Sequence, residues 1–248
     1  MHIENRYYIR PGVIEVEQVH SSMVGNHNCR GEGKGLTVEA VKKINTKRAA
    51  KQLRRIIDAN FEPGDMYITW TYKRGTKKTL EELENELDRL IRRLKYRYQK
   101  RGSPFKWIAV VGVDAPHIHT IINNMDGYNY MKELKKIWPN GHIKVEALYL
   151  EEGRYMRLAE YLVKHKAENE KKLGKSLKGK QAYKKSRNLV IPRMKRKIIN
   201  EQTLVRAPKV PSGYQLDGNM QTIAGISEYT GYRYRYFYLL KKERKKRE

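Results

Sequence analysis

The stretch Val110-Val111-Gly112-Val113-Asp114-Ala115-Pro116-His117-Ile118-His119-Thr120-Ile121-Ile122-Asn123 decides how the chain is built. It reads as an apolar strand, a tight turn at Asp114-Ala115-Pro116 and a second apolar strand with two histidines near its start. Residues two apart in a strand share a face. His117 and His119 therefore present two imidazoles side by side, while Ile118 turns into the core. Two Cα atoms about 6.5 Å apart can aim their rings at one ion held at roughly 2.1 Å per ligand. The spacing is necessary for a metal pair and not sufficient, since two hydrogen-bonded histidines on a half-exposed strand give the same pattern.

Charge narrows the class of partner. The chain has 248 residues, 53 Lys and Arg against 27 Asp and Glu, and a formal charge of +26. Such an excess gains affinity for a polyanion by releasing counterions from phosphates. No apolar run is long enough to span a bilayer, and Met1–Arg10 lacks a secretory core. The expected partner is nucleic acid and not a membrane. The single cysteine excludes an internal disulfide framework, which suits a reducing, cytoplasmic setting. His27-Asn28-Cys29 has no second ligand pair at zinc-finger spacing.

Outward from the histidine hairpin, the pattern alternates strands and helices. Tyr7–His20 predicts a strand or strand pair broken at Pro11-Gly12, followed by an exposed Gly- and Asn-rich loop. Thr37 is the expected cap of a basic helix to about Asn60, with Lys42, Lys43, Lys47, Arg48, Lys51, Arg54 and Arg55 on its polar face. Asp65–Tyr72 is β-branched and aromatic, hence a strand. Thr79 precedes an amphipathic helix to about Lys100 with Leu83, Leu87, Leu90, Ile91 and Leu94 in one stripe. Tyr130–Trp138 predicts a short helix, His142–Leu150 a strand, and Arg157 to about Lys172 a helix. Hairpin-linked strands with helices between them predict an α+β fold, an antiparallel sheet carrying helices.

The expected organisation is an N-terminal strand and loop over 1–36, a core over 37–172, a basic mobile arm over 173–189, and a C-terminal extension with a basic tail over 190–248. In that extension Tyr232–Tyr238 alternates tyrosines with Arg233 and Arg235, which suits stacking on unpaired bases or an edge strand with tyrosine pairs.

A second constellation lies downstream of the hairpin. In Ala159-Glu160-Tyr161-Leu162-Val163-Lys164-His165, the residues Tyr161, Lys164 and His165 fall at i, i+3 and i+4 on one helix face. Tyr-x-x-Lys is a weak pattern alone, and gains weight beside a His-apolar-His strand in so basic a chain.

Taken together, these residues resemble the HUH (His-hydrophobic-His) endonucleases, and within them the rolling-circle replication initiators of small phages and plasmids. The likeness rests on Tyr67-Ile68-Thr69-Trp70-Thr71-Tyr72, His117-Ile118-His119 and Tyr161-Leu162-Val163-Lys164, in the family's order. Trp138-Pro139-Asn140-Gly141, Ser186-Arg187-Asn188-Leu189 and the tyrosine-rich end resemble one phage-like branch. The likeness spans roughly residues 60–240.

The resemblance implies an RRM-like antiparallel sheet of about five strands flanked by helices, with a basic, tyrosine-rich C-terminal extension. It implies site-specific nicking and joining of single-stranded or hairpin DNA at a replication origin through a 5′-phosphotyrosine bond. Tyr161 would be the nucleophile and Lys164 its electrostatic partner. Mg²⁺ or Mn²⁺ would sit on His117 and His119, and a host helicase and polymerase would be further partners. The family's usual third ligand, often a Glu, falls on Val110, which cannot ligate. Asp114 is then the expected third ligand, with His165 and Glu146 as rivals; a turn residue bonding its own backbone is the other reading of Asp114. Tyr155 is a possible second tyrosine. Lys184, Lys185, Arg187, Asn188, Arg233 and Arg235 are the expected DNA contacts. A non-catalytic single-strand binder on the same fold, and a transposase or relaxase, are the alternatives.

Overall fold

The computed structural model describes residues 1–21, 37–125, 130–150, 154–218, 222–227 and 231–242. In chain order the elements are β1 (His2–Arg10), β2 (Val13–His20), α1 (Val38–Asn60), β3 (Met66–Thr71), α2 (Leu80–Lys100), β4 (Trp107–Gly112), β5 (His117–Ile122) and α3 (Tyr130–Ile137). There follow β6 (Ile143–Ala147), α4 (Met156–Leu173), β7 (Lys184–Lys185), β8 (Arg193–Ile199), α5 (Gln202–Val205), β9 (Tyr214–Leu216), β10 (Ile223–Ile226) and β11 (Arg233–Lys241). The α+β class with antiparallel sheets is as the sequence predicts. The His27-Asn28-Cys29 stretch lies outside the described residues. No described helix is long and apolar enough to cross a membrane.

The elements gather into two compact units, Val38–Val190 and Met1–Thr37 with Ile191–Glu248. In the first, five antiparallel strands run in the order β6-β3-β5-β4-β7, so the histidine strand β5 is central. Alternation gives the sheet two apolar faces. Ile68, Trp70, Ile118, Ile122 and Ile143 pack with Leu87, Leu90 and Leu94 of α2, while Ile108, Val110 and Ile121 pack with Leu53 and Ile57 of α1 and Leu162 of α4. Each such side chain, fully buried, contributes roughly 1.5–3 kcal/mol.

Helix α2 starts where its sequence says. Thr79 accepts from the Glu82 amide at 3.2 Å and Glu82 returns the bond to the Thr79 amide at 2.7 Å, a reciprocal cap typically worth about 1 kcal/mol. The Trp138–Gly141 turn closes on the end of β3. The Trp138 indole donates to Thr71 O at 2.9 Å, and a Cβ on Gly141 would stand 2.1 Å from that same oxygen. Only glycine lets the two backbones approach so closely.

Residues 173–189 include β7, whose Lys184 and Lys185 pair with Ala109 and Ile108. Ser186 exchanges bonds with the Trp107 backbone and Asn188 donates to Phe105 O at 3.1 Å, which latches the segment to β4. On α1, Lys42, Lys43, Lys47 and Arg48 are exposed as read, but Arg54 and Arg55 are buried. The helix turns them inward over its last turns.

The second unit is a six-stranded sheet, β10-β11-β2-β1-β8 with β9 also on β11. A polar ladder crosses four of its strands. Glu4 accepts from Lys197 at 3.0 Å and from Gln18 at 2.6 Å, and Arg235 donates to Gln18 at 2.8 Å. Burial raises the Glu4 pKa, but bonds from Gln18, Lys197 and Arg6 outweigh it and hold the carboxyl below its usual range. Strand β11 is an interior strand, not an edge. Its Arg235 is buried and also donates to Arg206 O and Thr203 O, while Arg233 is exposed.

Candidate metal centre

The register of the central hairpin sets the site. Gly112 pairs with His117, Val110 with His119, and Thr69 with His119 from the other side. The turn therefore holds Val113, Asp114, Ala115 and Pro116, one residue more than the sequence reading allows, with Ala115 left-handed at φ 45°. Asp114 is consequently not opposite His117. Its side chain is 74% exposed and pairs with Lys172 at 3.0 Å.

Glycine at 112 has a steric cause. A Cβ there would lie 2.2 Å from Cε1 and 2.6 Å from Nε2 of His117. Gly112→Ala is expected to swing the half-exposed His117 ring into solvent, retaining the fold while lowering divalent-metal affinity as far as His117→Ala does. Isothermal titration with Mn²⁺ checks this.

The third imidazole comes from α4. His165, 4% exposed, faces His117 with ring centroids 5.1 Å apart and His119 at 4.9 Å. One ring nitrogen from each of the three lies within 4.8 Å of the others. Val110, too apolar to ligate, packs beneath them in the core shared with α4.

Hydrogen bonds on the far side of each ring favour one orientation. His117 Nδ1 lies 2.8 Å from Ala115 O, His165 Nδ1 lies 3.1 Å from Glu168 Oε2, and His119 Nδ1 lies 2.6 Å from the Tyr67 hydroxyl and 3.0 Å from that of Thr69. With Nδ1–H donating outward in all three, every Nε2 carries its lone pair toward the common centre. Outward Nδ1 partners of this kind are what orient ligating imidazoles. His165 Nε2 is buried without a hydrogen-bond partner. An orphaned ring nitrogen facing two more is the donor set a divalent transition metal takes.

Burial keeps the cluster neutral. His119 is pushed down to about 2 by burial and then by the positive charge of His117 and His165. Burial and the His117 charge likewise lower His165 to about 4, against the opposing pull of Glu168. Neutral imidazoles are the ligand form. The stability consequence follows in sign. The unfolded chain protonates these rings near 6.5, whereas the folded chain refuses the protons until about 4 or lower, so stability is lost as pH falls from 6.5 toward 4. Metal-free melting temperatures measured from pH 7 to pH 4 are expected to fall across that window, and less so in His119→Asn.

Tyr161, on α4 one turn before His165, brings its hydroxyl 3.1 Å from His119 Nε2, and its ring is 45% exposed. Lys164 is solvent-facing, and its Nζ pairs with Glu168 Oε1 at 2.9 Å. Glu168 therefore bridges Lys164 and His165. Its bond and charge raise the Lys164 pKa, keeping the ammonium charged. The start of α4 is set by Arg154 and Tyr155, both left-handed, with Arg154 held by a buried pair to Asp58 at 3.3 Å. Left-handed non-glycine residues cost of order 1–3 kcal/mol each and persist only where the surroundings over-determine them.

Of the expected site residues, His117, His119 and Tyr161 meet, and His165 joins them. Lys164 stands at the rim. Lys184 pairs with Asp88 at 3.2 Å, and Arg187 and Asn188 are exposed beside β7. Glu146 lies on β6 opposite Tyr67. Tyr67 and Thr69, which back His119, carry no separate signal in the sequence beyond the strand pattern.

Residues 65–166 match the family model for the ORF2-type replication-associated protein, a span that runs from the start of β3 through His165. Comparison with curated proteins and with solved structures found no match. The likeness connects this part of the chain with DNA replication.

Proposed function

We propose that the protein starts DNA replication by nicking and rejoining a single strand, with Tyr161 as the nucleophile and a divalent ion on His117, His119 and His165. The observation that carries this reading is the Tyr161 hydroxyl 3.1 Å from one of three convergent imidazole nitrogens. The match of residues 65–166 to a replication-associated family supports the biological setting.

An ion bound by the three Nε2 atoms would supply Lewis-acid polarisation of a phosphate oxygen. The rest is the chain's own work. Tyr161 Oη bonds to phosphorus as the bond to the 3′-oxygen breaks; the phenolic proton leaves to solvent and the departing oxygen takes one up. Lys164, kept cationic by Glu168, offsets charge on the transferring phosphoryl group and does not act as a base. Burial raises the phenol of Tyr67 well above its usual value, so Tyr67 keeps its proton and holds His119 instead of competing as nucleophile. One phosphodiester replaces another, so the reaction runs in reverse without ATP, and the free 3′-OH primes a polymerase.

The test uses single-stranded fragments of the DNA that carries this reading frame, with Mn²⁺. The reading predicts cleavage at one site, a 3′ end that a polymerase extends, and no cleavage after chelation. Cleavage at many sites, or cleavage unaffected by a chelator, contradicts it.

A further inference from the structure

A cavity of about 520 Å³ opens beside the three-histidine cluster, with His119, Tyr161 and Tyr67 at one end and β6 and the start of α4 around the rest. Its size is that of a small-molecule site. It accepts a base with its sugar, and its walls are those of a stacking site: Leu148 and Leu158 are apolar, and Tyr149 is 67% exposed. Aromatic faces hold unpaired bases at roughly 1–3 kcal/mol each.

Two charged side chains in the cavity select among bases. Glu146 stands opposite Tyr67 and Lys144 opposite Thr69, on the face of the sheet that bears His119. Lys144 Nζ lies 3.1 Å from Glu146 Oε1. The pair therefore offers a cationic donor beside two carboxylate acceptors. Guanine presents the complement on its Watson–Crick edge: an acceptor at O6, then donors at N1 and N2. Thymine offers one donor between two acceptors, while cytosine and adenine present a single amino group beside an acceptor. Only guanine engages both carboxylate oxygens and the ammonium together. A carboxylate also disfavours a phosphate in the same space.

We infer that this cavity binds a guanine of the single strand next to the phosphate at the three-histidine site, with Glu146 and Lys144 reading its edge and Tyr149 stacking on it. The inference rests on the reading that a single strand crosses that site. Arg157, also lining the cavity, gives the adjoining backbone a cation.

The test titrates the full, metal-free chain with dGMP, dAMP, dCMP and dTMP, following tyrosine fluorescence and amide chemical shifts. dGMP is expected to bind about tenfold or more tightly than the other three, the scale of a bidentate base contact. Glu146→Gln is expected to bring dGMP close to the others, and Tyr149→Ala to weaken all four. Both residues are exposed at the rim, and unchanged amide spectra elsewhere report that each variant is folded. Equal affinities, another preferred base, a preference untouched by Glu146→Gln, or no binding at all overturns the inference. Tyr161→Phe separates the two proposals: it is expected to keep the dGMP preference while losing covalent joining, so failure to join DNA in the wild type would sink the nicking reading alone.

Discussion

His165→Ala is expected to lower the affinity for Mn²⁺ by at least about 10–100-fold, the loss that removal of a mere outer-shell partner already causes. Asp114→Ala is expected to change it little. The contrast follows from position: His165 is 4% exposed with an orphaned Nε2 among three imidazoles, whereas Asp114 is spent on Lys172 in a solvent-exposed turn. Removing His165 leaves a two-nitrogen site on one strand, the weakest arrangement the hairpin can offer alone. Isothermal titration of both variants distinguishes the two residues in one experiment. Retained affinity in His165→Ala would mean that another group completes the centre.

Tyr161→Phe is expected to reduce strand cleavage by about 10⁴-fold or more, the scale on which removing a covalent nucleophile acts. The fold should be unaffected, because the ring is half-exposed and its hydroxyl bonds to His119 at the mouth of the site. Metal binding has a separate expectation. In the metal-free protein the phenol and an ion compete for the same lone pair on His119 Nε2. Phenylalanine ends that competition, so Mn²⁺ affinity should stay level or rise while cleavage is lost. A fall in both would show that Tyr161 supports the centre and does not only work beside it.

Local chemistry is legible in the sequence where one element determines it. The Thr79 cap, the leucine stripe of α2 and the paired histidines all rest on spacing within a single element. The third imidazole is not legible in that way. Spacing puts His165 on the Tyr161 face, but only the packing of α4 across the hairpin brings that face over His117, and Val110 opposite His119 leaves the position open. Asp114 misses the site by one residue of turn, because the His117 ring needs the space above Gly112 and the chain must bend later. Strand β8 escapes a sequence reading for a different reason. Arg193-Met194-Lys195-Arg196-Lys197 has no apolar alternation, and its extended form comes from pairing with β1, where Lys197 meets Glu4. Likewise Arg235 reads as a surface cation because the pattern of β11 does not reveal that α5 and Gln18 enclose it.

The most direct measurement is peptide mapping of the covalent product after incubation with single-stranded DNA and Mn²⁺. The account predicts a nucleotide mass on the peptide bearing Tyr161, absent after chelation and absent in His165→Ala. A nucleotide on Tyr155 or on any other residue, or an adduct that forms equally well without the ion, would contradict it.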